Sequence, residues 1–598
     1  MARLDPHSHA DLAQGRIAEV ALDLKVDFAS RTLSGEARLT LEDPSAGGPL
    51  DLDSRALVIE SVTSDAGAAL PFALHPPDAD VAGWMGERLQ ITLPRNCRWF
   101  AIRYQTTPGA SALQWLEPAM TAGGKHPYLF SQCQAIHARS LAPLQDTPRC
   151  RVTAKGRFHV PQELRALMAA GALGRGESPF PGYACDTFHL PQAVPPYLLA
   201  FAVGDLAERK LTPRTSVWSE PAVVDAAAWE FAGVGRMMDA AEALFGPYDW
   251  QRYDILVMPP SFPYGGMENP RLTFLTPSVL AGDRSLVNVV AHELAHAWTG
   301  NLVTNADANH FWLNEGFTVY AERRILEAIE GREQSELHAA IGKQDLEEAL
   351  ARFIKTPELT RLRNDLWGVD PDVAYSTVPY EKGYLLLRYL EETAGRPAFD
   401  KFLRAWLGTH RFQSVDTNEF INTVERELPQ LGIRAADGKL APWAAEWIDG
   451  NGLPESAAHP SSPRLVELRA MAAAIGKDQL PPKDLTPGEL LLVLQALPGD
   501  LTAAQCSALD LHLGLRARRS LEIRCAYVGA ALKAGVADAP ELARGVVYEC
   551  GRMKFLRPMY GALAARPETK ALAKSWFAEM KHRYHPIAQA VVEGMLKG

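Results

Sequence analysis

The segment Val290-Ala291-His292-Glu293-Leu294-Ala295-His296 sets two imidazoles four residues apart with a carboxylate beside the first. On a helix such residues share a face one turn apart, so His292 and His296 can close on one ion. Glu293 points about 100° around the helix from His292, which suits a base acting on water beside the ion better than a ligand. Two histidines at this spacing also occur as structural neighbours, so the motif alone leaves both readings open. A catalytic zinc usually takes three protein ligands and keeps one position for water. An eighteen-residue gap after His296 leads to Glu315, within the helical pattern NHFWLNEGFTVYAERR. A carboxylate there, on a helix packed beside the first, completes a His-His-Glu set. The alternative is an acid in a first turn, favoured by the helix dipole. Taken with the histidine pair, the ligand reading is preferred, with one zinc per chain.

Zinc and a basic glutamate explain amide hydrolysis but not which bond is cut. Upstream, in PSFPYGGMENPRLTF, the run Gly265-Gly266-Met267-Glu268-Asn269 follows a strand pattern at 253–258. A flexible, close-approach backbone there leads directly into an acid. A free α-amino group, with a pKa of about 7.7 to 8.0, is cationic at pH 7 and needs a carboxylate partner. Glu268 is the candidate; a surface loop acid is the alternative.

These residues need a scaffold of some size. At 598 residues the chain exceeds the roughly 250–300 residues that one hydrophobic core supports, so two to four domains are expected. The 47% apolar and 22% charged content is that of an ordinary globular protein, and the net charge of −10 comes without a basic stripe, so no nucleic-acid partner is expected. The seven cysteines, Cys97, Cys133, Cys150, Cys185, Cys506, Cys525 and Cys550, are odd in number and never spaced C-x-x-C. They read as reduced thiols of a cytoplasmic protein. No signal-peptide core and no run of about 18 apolar residues appears, so no membrane partner is expected.

Along the chain, Val20, Leu22, Leu24, Val26 and Phe28 alternate with polar residues as in a half-buried strand. Similar runs recur near 56–62, 89–93 and 99–104, so residues 1–203 read as a β domain. Gly171, Gly174 and Gly176 have the wrong spacing for a dinucleotide-binding turn and read as loop. Residues 204–450 read as a mixed α/β domain carrying the histidines. GLPESAAHPSSPR is Pro- and Ser-rich, so 451–464 reads as a linker. Residues 465–598 read as all-helical, from spacings such as Leu490, Val493, Leu494 and Leu497, and Ala573, Trp576, Phe577 and Met580.

GGMEN, HELAH and the gap to the Glu of NEGF resemble the aminopeptidase-N-type (gluzincin) family of zinc aminopeptidases. SQCQAIHARSLAPLQDTP, VAHELAHAWTGNLVT, DPDVAYSTVPYEKG and GRMKFLRP are similar to the leukotriene A-4 hydrolase branch and its bacterial aminopeptidase relatives. The similar blocks run from Ser131 to Pro558. The resemblance implies a multidomain α+β fold: a saddle-like N-terminal β-sheet domain, a thermolysin-like catalytic domain and a C-terminal all-α domain. It implies a monomer acting on short peptides with a free N-terminus, di- and tripeptides favoured.

Residue by residue, the resemblance implies His292, His296 and Glu315 as zinc ligands and Glu293 as general base. Tyr380 of VPYEKG matches the family's oxyanion donor, a role that a neutral phenol can fill. The amine pocket maps onto Gln134 and Glu268, with Gly265, Gly266 and Met267 of the same motif along the substrate. Arg552 and Lys554 match a basic pair that meets a short peptide's carboxylate. Asp372 and Tyr375 match positions used in opening a lipid epoxide, and Asp372 alternatively recognises a basic first side chain. The sequence departs at Phe317, where the branch's mammalian member has histidine, and NADANHF lacks an aromatic expected there. Two other functions stay in view: an aminopeptidase that also hydrolyses a lipid epoxide, and a thermolysin-like endopeptidase, which has no use for GGMEN.

Overall fold

The computed structural model describes residues 4–77, 83–285 and 287–597. The alternating run becomes the strand Ile17–Asp27, which buries Val20, Leu22, Leu24 and Val26. It pairs antiparallel with Thr32–Leu41 and parallel with Val152–Pro161 at the centre of a seven-stranded described sheet. Gly171, Gly174 and Gly176 are not loop, as their spacing suggests, but lie in the edge strand Gly171–Glu177, on Tyr183–Val194. The strand is almost wholly exposed and bulges between Ala172 and Gly174, where Gly174 takes φ 141°. An edge strand held by one neighbour needs no apolar alternation, so the period-two signal is missing.

A smaller sheet carries Tyr128–Ser131 between Phe201–Gly204 and Leu113–Leu116, and the chain leaving it delivers Gln134. In the central segment, Asp254–Val257 runs parallel to both Thr215–Ser219 and Leu272–Leu275. GGMEN is less loop-like than its glycines suggest. Gly266–Met267 forms a short antiparallel edge strand, Gly266 opposite Leu275 and Met267 opposite Phe274. Because it is an edge, one side of its backbone keeps free hydrogen-bonding groups.

The helices of this segment include Val287–Ala295, Trp312–Glu330, Arg332–Arg352 and Val378–Ala394. The second and fourth meet at Gly316 and Gly383, where a Cβ on Gly316 would lie 2.7 Å from the Gly383 Cα. Only glycine permits two backbones to touch in this way. The contact brings together the first turns of both helices, which bear Glu315 and Tyr380.

The β segment and the central segment share one hydrophobic core, running from Ile17 to Ala457. The C-terminal helices pack a separate core from Leu468 to Leu596, with Val493, Tyr527, Phe555 and Trp576 inside it. Their first helix, Pro463–Ile475, is capped by Ser462 and so starts within the Pro/Ser stretch. Capping boxes at Thr486 and Thr502 open the helices Pro487–Gln495 and Ala503–Leu513. Pro260 O accepts from the Gly551 amide at 2.9 Å, which ties the helical segment to the chain just before GGMEN. All seven cysteines are free and buried, and among the described residues no helix is long and apolar enough to cross a membrane.

His585 joins the helical segment to the β segment, buried against Phe130 and hydrogen-bonded to Gln114. Burial pulls its pKa down to about 4 from an ordinary 6.5. The unfolded chain therefore binds the extra proton first as pH falls, and this contribution to stability is present above about 6.5 and lost towards 4. Between pH 7 and 5 the parent should lose about 2 kcal/mol that His585→Gln does not lose. Denaturant melts of both proteins at the two pH values check this.

Candidate active site

Val290, Ala291 and Leu294 anchor the first helix in the core, which turns His292 and Glu293 towards the cleft. The helix ends at Ala295, yet the His296 amide still donates to His292 O at 3.3 Å. The two Nε2 atoms stand 3.2 Å apart. Each ring is fixed from behind by its other nitrogen: His292 Nδ1 lies 3.0 Å from Glu322 Oε2, and His296 Nδ1 lies 3.1 Å from both Thr299 O and Thr318 Oγ1. Such outer partners select the tautomer and aim the free nitrogen.

Glu315 Oε2 lies 3.5 Å from His292 Nε2 and 3.6 Å from His296 Nε2. It is buried, and among the described residues it has no hydrogen-bond partner. A buried carboxylate oxygen is costly unless something positive meets it. Burial alone would lower the His292 pKa. The close Glu315 carboxylate and the hydrogen bond to Glu322, with the charges of Glu322 and Glu293, outweigh it and hold the ring well above the usual imidazole range. His296 is pushed down to about 4 by burial, so its lone pair stays available. The surroundings thus call for one positive charge between two aimed nitrogens and a carboxylate oxygen. A zinc ion with a His-His-Glu set fits that donor chemistry. A second group, Glu268, Glu293 and His296, also has its ligand atoms within 4.8 Å of one another. Glu268 Oε1 is already engaged by Gln134, so the first set is the better cation site.

Glu293 is buried under the GGMEN edge strand: a Cβ on Gly266 would lie 2.2 Å from its Oε1. Burial, opposed by His292 and reinforced by Glu268, Glu315 and Glu322, pushes its pKa up to about 8 before any cation is added. Glu268 is 4% exposed, accepts from Gln134 Nε2 at 3.1 Å, and is braced through its backbone carbonyl by Asn301 Nδ2 at 2.8 Å. Burial raises its pKa as well. Met267 is buried, and its sulfur receives Gln132 Nε2 at 3.1 Å.

On the opposite wall the Tyr380 ring stacks on His292 with centroids 6.2 Å apart. The Tyr380 and Tyr375 hydroxyls meet at 2.6 Å. Burial, with the charge of Glu315, holds the Tyr380 pKa well above its ordinary value, so the phenol stays neutral. Tyr375 is 62% exposed, and Phe311 packs near both tyrosines. Asp372 pairs with His137 at 2.9 Å. Phe317 does not line the cleft; it is buried among Trp312, Trp406 and Phe420.

The basic pair meets on one buried acid, Glu522, with Arg552 Nη1 at 3.6 Å from it. Arg552 reaches Gly265, where a Cβ would lie 2.9 Å from its Nη2, and it donates to Ser278 Oγ at 2.9 Å. Lys554 lies on buried Glu522 at 2.6 Å and lines a cavity among the C-terminal helices. Sequence reasoning missed Glu322, Thr318, Asn301, His137, Ser278 and Glu522. Glu322 and Thr318 left a signal: they sit seven and three residues after Glu315, hence on the same helix face.

Models of protein families match three stretches of the chain: the peptidase M1 N-terminal domain over residues 16–198, the peptidase family M1 domain over 229–437, and the leukotriene A4 hydrolase C-terminal domain over 485–596. Leukotriene A-4 hydrolase of Xenopus laevis is 38% identical over 98% of both chains. Leucine aminopeptidase 2 of Aspergillus niger is 36% identical over 99% of this chain and 98% of its own. The structure of yeast LTA4 hydrolase in complex with bestatin superposes with a TM-score of 0.90 at 32% identity, covering 100% of this chain and 98% of that one.

Two substitutions test the geometry. Glu322→Gln should weaken zinc binding by about 10- to 100-fold, read by competition with a chelator. Gly266→Ala should displace the Glu293 carboxylate and lower kcat while zinc content stays unchanged.

Proposed function

The chain belongs to peptidase family M1 and is a zinc-dependent aminopeptidase, and from that premise we propose which of its residues release the amino-terminal residue of short peptides. The observation that carries the reading is the convergence of Glu268, Glu293 and His296, whose ligand atoms lie within 4.8 Å of one another. In an amino acid the α-nitrogen and the carbonyl carbon are two bonds, or about 2.5 Å, apart. A carboxylate that holds a terminal amine this close to the hydrolytic centre leaves room for one residue before the cut bond.

His292, His296 and Glu315 would hold the zinc, which when bound supplies Lewis acidity to the scissile carbonyl and to the attacking water. Glu293 takes the proton of that water on its carboxylate and hands it to the leaving amine, as acid/base reversal requires. Tyr380 donates its hydroxyl hydrogen to the oxygen where charge develops; its raised pKa keeps the hydrogen in place, and Tyr375 orients it. Glu268 and Gln134 bind the substrate ammonium, and the Gly265-Gly266 edge offers backbone groups along the substrate. Arg552, steadied by Ser278, meets the carboxylate of a di- or tripeptide, while Lys554 balances Glu522 behind it. Asp372, paired with His137, favours a basic first side chain.

The divisions at residues 203, 450 and 464 remain our domain proposal. The free, buried thiols support a cytoplasmic address. A second reading draws on the relative named leukotriene A-4 hydrolase and on Asp372 and Tyr375, three residues apart, and conversion of a lipid epoxide to a diol tests it.

Aminoacyl reporter amides should be hydrolysed by the zinc-loaded chain, not after chelation, and their N-acetylated forms should react at least about 10³-fold more slowly. Equal hydrolysis of the blocked forms would instead mark an endopeptidase. Tyr380→Phe should lower kcat by about 10²–10³-fold without loss of zinc, measured on the same amides.

A further inference from the structure

A cavity of about 760 Å³ lies among the C-terminal helices Pro487–Gln495, Leu521–Ala534 and Met553–Ala564. Its volume falls inside the roughly 300–1,000 Å³ range of small-molecule sites. The inner wall is apolar, with Leu494, Cys525 and Phe555 buried and Leu491 and Leu497 half-buried beside them. It is hollow because the facing positions are small: Ala526 and Ala530, one turn apart, oppose Gly561 and Ala562.

The charged lining is one-sided. Lys533, Lys554 and Arg566 face a single acid, Glu522, which already has Lys554 at 2.6 Å and Arg552 at 3.6 Å. Lys533 is exposed and has no ion-pair partner among the described residues. Arg566 spends one nitrogen on Lys533 O, at 2.6 Å, and keeps its other donors. The cavity is therefore apolar inside and cationic where it meets solvent. A peptide would bury backbone groups there without partners, and an amine would meet like charge. A straight-chain carboxylate satisfies both ends.

We infer that this cavity is a second ligand site, separate from the catalytic cleft, which takes a medium-chain fatty acid with its tail between Ala530 and Phe555 and its carboxylate on Lys533 and Arg566. Tail burial dominates the affinity, so binding should tighten by up to about four-fold per methylene.

The test is calorimetric titration of the intact, zinc-loaded chain with hexanoate, octanoate and decanoate below their micellar concentrations. Saturable one-to-one binding that strengthens with chain length is expected. Ala530→Phe, which fills the hollow, should weaken decanoate at least ten-fold, and Lys533→Gln should weaken it several-fold while leaving decanol unaffected. Both variants should keep the parent's melting temperature and its hydrolysis of aminoacyl amides, which separates loss of the site from loss of the fold. Absence of saturable binding, equal binding by Ala530→Phe, or displacement of decanoate by a tripeptide substrate would overturn the proposal, the last by placing the chain in the catalytic cleft.

Discussion

Four carboxylates, Glu268, Glu293, Glu315 and Glu322, gather around His292 and His296 in a cleft that excludes most water. In a medium of low dielectric like charges repel strongly, and each unpartnered carboxylate oxygen carries a desolvation cost. The repulsion is relieved by taking up positive charge, as protons on these groups or as a cation between them. Without a metal, His292 is driven to hold a proton while His296 is kept neutral. The same field that disfavours the empty cleft draws in a divalent cation, a substrate ammonium beside Glu268, or both. Binding and chemistry here are two uses of one excess of negative charge.

Much of the surrounding structure keeps that charge in place. Gly316 and Gly383 let two helices touch, so that Glu315 and Tyr380 flank one space. Gly266 lets an edge strand lie over Glu293, and the smaller N-terminal sheet feeds in Gln134. The C-terminal helices do not share the catalytic core, yet they send Arg552 to the far end of the cleft. Glycine at these positions is a requirement of contact, because any Cβ would strike a catalytic group or a backbone.

How much of this was legible in the sequence follows from where each partner lies along the chain. His292, Glu293 and His296 are neighbours on one helix, so spacing alone gave their geometry. Glu315 and Glu268 were reached by asking what the metal and the amine would each still need. Tyr380 and Arg552 carried no such local signal and rested on resemblance. Glu322 was readable from its seven-residue spacing to Glu315 but was passed over. His137, Ser278 and Glu522 act on residues 235, 274 and 32 positions away, and no periodicity encodes such contacts. The same limit hid the edge strand at Gly171 and the buried acid, Glu522, that Arg552 and Lys554 share.

The central claim is that the cleft's negative charge is matched by one zinc ion held by His292, His296 and Glu315. Elemental analysis of the purified chain and of Glu315→Gln, each dialysed against the same trace-zinc buffer, tests it most directly. One zinc per chain is expected for the parent and far less than one for the variant, with folding retained. Zinc held equally by both, or an active parent without zinc, would contradict it.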